Sequence, residues 1–387
     1  MDKYISKTIK EIKPSGIRRF FDIASTIPGC ISLGVGEPDF VTPEHIRNIG
    51  IESLKEGKTF YTSNQGLLEL RQEIAKWNKV RYNLETRAED IIITIGGSEA
   101  LDIALRAIIN PGDEVIVLDP SYVSYTPGVL LAGGTPKVIE LKDKNKFRLT
   151  YEELKGAINK KTKAIILNYP NNPTGAIMEE SDYRKIVDLI IDNDLLVISD
   201  EIYAELTYGK KHFSIGSLPG MKDRTIIISG FSKAFSMTGW RLGYIFGPEA
   251  LIKQMLKIHQ YVIMCSPTLA QYAGLEALKV GDKDITYMRD EYDKRRKFLL
   301  GEFTRLGMDC FEPEGAFYCF PSIKRFGLSS DEFAERLLRQ EKLVVVPGTA
   351  FGDCGEGFLR ISYASKIDTL KEAINRLERF IKSLENE

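Results

Sequence analysis

Between about residue 90 and residue 250 the chain alternates short apolar, β-branched runs with segments of helical period. This alternation constrains the fold more than any other feature of the sequence. A run of four to six apolar residues bounded by turn residues fits a strand covered on both faces. Strands separated by helix-length segments pair in parallel through crossovers. The strands expected on this basis span 91–95, 114–118, 163–167, 195–199, 225–229 and 243–246. Helices are expected over 98–109 and 179–193, with one long helical segment over 249–280. The expected class is α/β, a mostly parallel central sheet with helices on both faces.

From about Asp284 the texture changes to a charged helix pattern over 287–305. Short strands come next at 316–321, 343–346 and 358–362, with helices at 330–340 and 367–384. This predicts a second, smaller α+β domain. The expected division is a segment 1–40 packing with the small domain, a large domain 41–283 and a small domain 284–387. A chain of 387 residues holds core for roughly two or three domains at about 150 residues each.

Charge and cysteine usage exclude several classes. With 53 basic and 54 acidic residues the formal net charge is -1, which leaves no basic field for nucleic acid or an anionic membrane. Cys30, Cys265, Cys310, Cys319 and Cys354 form no C-x-x-C pair, and with His45, His212 and His259 they give no metal-type spacing. They read as core cysteines of a reducing compartment. No run approaches the roughly 18 apolar residues of a membrane span, and residues 1–19 lack the apolar core of a signal peptide. A soluble, cytoplasmic protein is expected.

The chemistry lies just beyond the end of each strand, because open α/β sheets bind ligands at the carboxyl ends of their strands. After 91–95 comes Gly96-Gly97-Ser98-Glu99 and a helix, so free N–H groups at a helix start offer an anion site. A plain glycine turn with Ser98 as cap is the commoner use of such a motif. In that helix Glu99, Asp102 and Arg106 share one polar face. After 114–118 come Tyr122 and Tyr125, able to stack on a planar ligand or simply to pack. After 163–167 two prolines stiffen Asn168-Tyr-Pro-Asn-Asn172-Pro-Thr-Gly175 and hold Asn172 as a fixed polar group. After 195–199 stand Asp200 and Tyr203, and a carboxylate there needs either a partner or a capping role. After 225–229 stand Ser232 and Lys233, with Arg241 eight residues on. Shielding by Phe231, Phe235 and Trp240 would favour the neutral, nucleophilic amine of Lys233. Beyond 243–246 there is nothing chemical. Anion nest, aromatic, rigid amide, carboxylate with tyrosine, and lysine with arginine together match a flat ring with an aldehyde, a phosphate, a phenolic oxygen and a basic nitrogen, which is pyridoxal 5′-phosphate.

On these residues the chain resembles the class I/II aminotransferases of pyridoxal-phosphate fold type I, the aspartate and aromatic aminotransferase-like group, over essentially its whole length. The motifs are Pro170-Asn-Asn-Pro-Thr-Gly175, Asp200-Glu-Ile-Tyr203, Ser232-Lys233 with Arg241, and Phe358-Leu-Arg-Ile-Ser-Tyr363. Tyr61-Thr-Ser-Asn-Gln-Gly66 with Leu70-Arg71 fits as well. The resemblance implies that Lys233 forms an aldimine with the cofactor and shuttles the substrate proton. It implies that Asp200 pairs with the ring nitrogen, that Asn172 and Tyr203 hold the phenolic oxygen, and that Tyr122 lies over the ring. Gly97, Ser98, Glu99, Ser232 and Arg241 are implied around the phosphate, with Tyr61 reaching the site of a neighbouring subunit in a homodimer. Arg360 is implied as the clamp for the substrate α-carboxylate. Gly36, and with it the segment 14–18, is implied on the substrate side.

Two departures refine the expectation. Ser98 stands where many aspartate-using members carry a lysine that reads a distal carboxylate, which favours a broad or aromatic-preferring donor range. Gly230 stands where some members place a phosphate-touching serine. The expected reaction moves the amino group of an L-amino acid to a 2-oxo acid such as 2-oxoglutarate, through a pyridoxamine form. The alternatives are an aspartate or alanine aminotransferase, and behind them a C–S β-lyase on the same scaffold. A non-catalytic module of a transcription regulator would need a DNA-binding domain ahead of the Ser32–Asp39 loop, which only about 30 residues precede.

Overall fold

A short strand, β1 (Ile31–Ser32), precedes the seven strands of the central sheet. These are β2 (Ile91–Thr94), β3 (Glu114–Asp119), β4 (Thr135–Glu140), β5 (Thr162–Asn168), β6 (Leu196–Asp200), β7 (Thr225–Gly230) and β8 (Gly243–Phe246). The computed structural model describes residues 1–14, 16 and 27–386, so Ser15, Ile17 and Arg18 of the 14–18 segment lie outside the described residues. The strands lie in the order β2-β8-β7-β6-β5-β3-β4. All pairs are parallel except those of β8, which runs against both β2 and β7. The six expected strands are all present, within a residue of their expected ends, and 114–118 and 163–167 gain a residue or two in length. Every residue of β2 and β8 is buried, as apolar runs covered on both faces should be.

Three differences have physical causes. The reversal of β8 explains why no chemical residue comes after it: its first residue, Gly243, lies at the site edge and its last lies at the far edge. β4 is absent from the expected set because Thr135-Pro-Lys-Val-Ile-Glu140 carries no long apolar run. It is an edge strand paired only with β3, largely exposed, and tolerates Pro136 for that reason. The expected helical segment 249–280 is two helices, Glu249–Val262 and Thr268–Val280. Met264 takes a left-handed φ of 72° between them and Pro267 opens the second.

The C-terminal part builds small sheets from β9 (Tyr318–Cys319), β10 (Leu343–Val344), β11 (Val346–Pro347) and β12 (Leu359–Ser362). β12 pairs antiparallel with β9 and β11, while β10 pairs in parallel with β1 near the N-terminus. The strand expected over 316–321 is cut to two residues, with Ala316 at a φ of 57° turning the chain just before it. The helix Ile367–Leu384 buries Leu370, Ala373, Ile374, Leu377, Phe380 and Ile381, the spacing of one apolar face. Burial of each larger side chain stabilises by roughly 1.5–3 kcal/mol. The same core takes in Leu33 and, from the loop after β6, Tyr203 and Leu206. The helix Asp282–Arg305 carries the chain from one part to the other. Among the described residues no helix is long and apolar enough to cross a membrane.

Backbones meet closely where β7 and β8 face the turn after β2. A Cβ on Gly243 would lie 2.7 Å from the carbonyl carbon of Gly96, and one on Gly230 would lie 2.9 Å from the Cα of Gly243. Neither neighbour is a flexible side chain. Gly243→Ala is therefore expected to destabilise by about 1–3 kcal/mol. Gly301→Ala, in the helix Asp282–Arg305 with open space around it, is expected to stabilise by about 0.5–1 kcal/mol. Urea unfolding of the two variants measures both, and a Gly243→Ala protein as stable as its parent would contradict the packing argument.

Candidate active site

A cavity of about 510 Å³ opens beyond the carboxyl ends of the parallel strands, within the usual size range of small-molecule sites. β2, β3, β5, β6 and β7 each place a residue there by ending where they do. Gly97 and Ser98 follow β2, Tyr122 follows β3, and Asn172 follows β5. Asp200 closes β6, with Tyr203 next in the loop, and Ser232 and Lys233 follow β7. Arg241 shortly precedes the reversed β8, Arg360 comes from β12, and Gly36 from the loop after β1. Of the residues expected at the site, Glu99 and Tyr61 do not line the cavity, and Pro14 and Gly16 of the 14–18 segment line a separate one beside Ser121 and Val123.

Two charges in this cavity are buried without an opposite charge. Asp200 is 9% exposed and ion-pairs with no cation among the described residues. Its Oδ2 accepts from Tyr125 Oη at 2.7 Å and its Oδ1 from the Ile202 N–H at 3.1 Å. Burial pushes its carboxyl up to about 6, against those two hydrogen bonds. No helix follows Asp200 directly, so the capping use does not arise. Arg360 is 2% exposed and pairs with no carboxylate among the described residues. Its guanidinium donates to Asn172 Oδ1 at 3.0 Å and to the Gly34 carbonyl, while Nε is buried without a partner. The rings of Tyr318 and Phe351 lie 4.6 and 4.7 Å from its centre, and burial lowers its pKa. Leaving a charge in this condition costs several kcal/mol unless a ligand supplies the partner.

Lys233 lines the same cavity and is half-buried on its wall. Its Nζ donates to the Gly36 carbonyl at 2.6 Å. Burial draws its amine down to about 8; Glu37 works against this, and the positive charges of Arg360 and Arg241 add to it. The aromatic shield differs from the expected one. Phe231 and Phe235 stack on each other in a separate core, and Trp240 bonds Thr42 through its indole N–H. The rings near Nζ are Tyr203 and Phe317, at 5.9 and 5.7 Å. Phe317 belongs to the C-terminal part and is distant in sequence, so neighbours along the chain point to the wrong shield.

The turn after β2 meets Arg241. Gly96 takes a φ of 70°, and a Cβ there would stand 2.7 Å from Arg241 Nη2. Arg241 itself adopts φ 52°, a strained value for a side-chain-bearing residue. Its Nη1 donates to Thr238 O at 3.0 Å. The close approach of β8 also accounts for Gly230, since any side chain there would strike Gly243. Glu99 turns away: its Oε2 accepts the Ile95 N–H and its Oε1 meets His259. Asp102 and Arg106 pair with each other at 3.1 Å without it. Tyr61 is 80% exposed on the outer surface.

Three residues of the site escape a reading of the sequence, and Tyr125, read there as a ring that stacks or packs, has a further role. Tyr125 supports Asp200, Asn168 accepts the Asn172 N–H at 3.1 Å, and Glu37 accepts from Thr238. Tyr318 bonds Tyr203 Oη to Oη at 2.8 Å and stands where a Cβ on Gly36 would strike it. Tyr125 and Asn168 lie beside residues already singled out, and that proximity is the signal that could find them. Tyr318 has no local signal, because its strand is two residues long and its role depends on the C-terminal part folding over the cavity.

One cavity thus brings together a buried carboxylate, a buried guanidinium and a lysine amine. The chain belongs to the aminotransferase class I and II family, whose model matches residues 28–377. It is 50% identical over 382 residues to the Bacillus subtilis putative aminotransferase YugH, covering 98% of this chain and 99% of that one. It is 44% identical to an aspartate aminotransferase of Pyrococcus abyssi, with 98% of each chain covered. The crystal structure of an aromatic aminotransferase from Pyrococcus horikoshii superimposes with a TM-score of 0.91 at 42% identity, covering 95% of this chain and 99% of that one. The chain is an aminotransferase, transferring an amino group from an amino acid to a 2-oxo acid.

The lowered pKa gives a direct test of Lys233 in the cofactor-free protein. An amine near 8 is free above that pH and protonated below it, with about a tenth free one unit lower. Reductive methylation of Lys233, followed by peptide mass spectrometry across a pH series, is expected to be half-maximal near pH 8. Reactivity that rises only at the ordinary lysine pKa would contradict the burial argument.

Proposed function

We propose that this enzyme holds pyridoxal 5′-phosphate in the cavity and moves the amino group of an L-amino acid to a 2-oxo acid such as 2-oxoglutarate, with a broad or aromatic-preferring donor range. The observation that carries this is that Asp200 and Arg360, buried and without an ion pair among the described residues, share one cavity with a lysine amine drawn toward neutrality. The donor set fits the cofactor. Asp200 would face the ring nitrogen, Tyr203 and Asn172 the phenolic oxygen, and Tyr122 the ring. The turn Gly97-Ser98-Glu99 would hold the phosphate through its amides, together with Ser232 and Arg241. Bound there, pyridoxal phosphate supplies an aldehyde for the amino group and a ring that acidifies the substrate α-proton.

The chain's own residues do the rest. Arg360 binds the α-carboxylate as a planar fork and so fixes which substrate bond faces Lys233. Lys233 Nζ would take the proton from the substrate α-carbon and return it two atoms further along, at the carbon that the cofactor's aldehyde supplies. A pKa near 8 lets the amine act as base and its conjugate as acid close to neutral pH. Asp200, held by Tyr125 and the Ile202 N–H, keeps a negative charge against the ring nitrogen. Tyr318 and Gly36 close the cavity over the substrate side.

The donor range rests on the remaining cations. Lys233, Arg241 and Arg360 are the basic residues on the cavity wall among those described, and each has a role already. With Ser98 in place, none is left for a distal carboxylate, while Val35 and Leu101 offer apolar contact. We further take the enzyme to be a cytoplasmic homodimer, its five cysteines being free. We divide it at residues 40 and 283, the latter falling within the first turn of the helix Asp282–Arg305. Phe60, Tyr61 and Tyr261 are each at least 80% exposed. Asn64 Nδ2 to Met264 O and Thr268 Oγ1 to Phe60 O, both at 2.7 Å, tie their segments into one patch. Such a patch suits a second copy of the chain, whose cavity Tyr61 would then reach.

The absorption spectrum of the loaded enzyme, titrated with single amino acids and no oxo acid, tests the reading. The cofactor band is expected to collapse with phenylalanine or tyrosine more readily than with aspartate, and to return on adding 2-oxoglutarate. Lys233→Ala should lower turnover by roughly 10³-fold or more, and Arg360→Lys should raise the donor KM at least about tenfold. Failure to bind pyridoxal phosphate at all would overturn the proposal. Tyr261→Asp should give a monomer by sedimentation, and an unchanged dimer would remove the interface from this patch.

A further inference from the structure

Behind the turn after β2 lies a buried pair of titratable groups that the reaction does not use. Glu99, in the first turn of the helix Gly96–Ile108, and His259, near the end of the helix Glu249–Val262, meet with Nδ1 and Oε1 2.5 Å apart. His259 has no exposed surface, and its Nε2 finds no partner. A buried histidine held by a single side-chain contact is specified by that contact. The other carboxylate oxygen of Glu99 accepts the Ile95 N–H at 2.5 Å.

The position of that N–H matters. Ile95 is the cap residue of the helix, and its side chain has no acceptor to offer the first turn. A capping box works in two directions: the cap side chain accepts from the first turn, and an acidic residue in the turn accepts from the cap N–H. Here only the return half is present. The cap is fixed by Glu99, while the first N–H groups of the helix are left without a side-chain acceptor from the cap, on the face lined by Gly97 and Ser98. An ordinary capping serine or aspartate would compete with a ligand for those donors. The arrangement holds the turn rigid without occupying it.

We propose that Glu99 and His259 are positioning residues that set the anion-binding turn: Glu99, braced by His259 from the neighbouring helix, fixes Ile95 so that the free N–H groups of Gly97 and Ser98 stay aimed at a phosphate group. Neither side chain touches the ligand. The inference rests on the reading of this turn as the phosphate cradle of pyridoxal phosphate. Glu99 is expected from sequence to offer its amide to the phosphate; its side chain has a separate role and acts through the backbone it holds. His259 carries no signal in the sequence, being one of three histidines with no metal spacing.

The test compares two ligands on the cofactor-free full chain, pyridoxal phosphate and pyridoxal, which lacks the phosphate. The unmodified protein should bind the phosphorylated form more tightly. Glu99→Ala and His259→Ala should each weaken pyridoxal phosphate by about tenfold and leave pyridoxal unchanged. Each should also shift the ³¹P resonance of the bound cofactor. Glu99→Gln should restore affinity and resonance, because its carbonyl can accept from Ile95 and its amide can donate to the other tautomer of His259. If Glu99→Ala does not fold, His259→Ala reads the same contact from the opposite helix. Equal weakening of both ligands, or an unmoved ³¹P resonance in a folded variant, would reduce the pair to general packing and overturn the proposal. An unmodified protein with no preference for the phosphorylated ligand would remove the phosphate reading itself, and the positioning role with it.

Discussion

The structure depends on the cost of burying Arg360 with no carboxylate beside it among the described residues. A guanidinium so placed loses its water, and the Gly34 carbonyl, the Asn172 amide and two aromatic faces recover only part of that loss. The fold has to meet this cost from packing elsewhere. β12, which carries Arg360, is buried throughout, and its Leu359 and Ile361 join the core that also takes Tyr203 and Leu206 from beyond β6. The two parts of the chain are therefore sealed together at the point where the electrostatics oppose it. Asp200 repeats the pattern with the opposite sign, and Tyr125 and the Ile202 N–H hold it there. Under the proposed function, the cofactor's ring nitrogen would meet Asp200 and the substrate carboxylate would meet Arg360.

Much of the fold is legible in the sequence because buried parallel strands leave a strong mark. Runs such as Ile91–Thr94 or Thr225–Gly230 have little polar character to confuse the reading. Where a strand is exposed the mark vanishes: Thr135–Glu140 alternates weakly, contains a proline, and is recognisable only by its pairing with β3. Strand direction is also silent in the pattern, since β8 has the same apolar texture whichever way it runs. The site obeys the same rule. Residues at strand ends can be found because the sheet gathers them. Tyr318, Phe317 and His259 act across long separations in the chain, and no local pattern reports a contact made by the folding of one part over another.

The shielding of Lys233 illustrates the difference. A lowered amine pKa and the cause assigned to it are separate expectations. Desolvation does draw the amine down. The rings nearest to it, however, come from Tyr203 and Phe317, not from the aromatics beside it in sequence. Burial is a property of the assembled cavity, so a neighbour in sequence is a poor guide to a neighbour in space. Arg360 and Arg241 add a second push that only their convergence can supply.

That convergence also bears on the loop after β1. Its carbonyls at Gly34 and Gly36 accept from Arg360 and Lys233, the two groups that a substrate carboxylate and a reactive carbonyl most need. Tyr318 presses on Gly36, and Glu37 accepts from Thr238 in the loop beyond Lys233. The loop is thus held by donors that any ligand must share or take over. A carboxylate binding Arg360 is a stronger acceptor than a peptide carbonyl, so the exchange favours the ligand while loosening the loop at Gly34. The Glu37–Thr238 contact involves neither Arg360 nor Lys233 and is untouched by that exchange. One end of the segment can therefore yield while the other stays fixed. Under the proposed function, such a loop would admit substrate by exchanging two hydrogen bonds while the elements on either side stay folded.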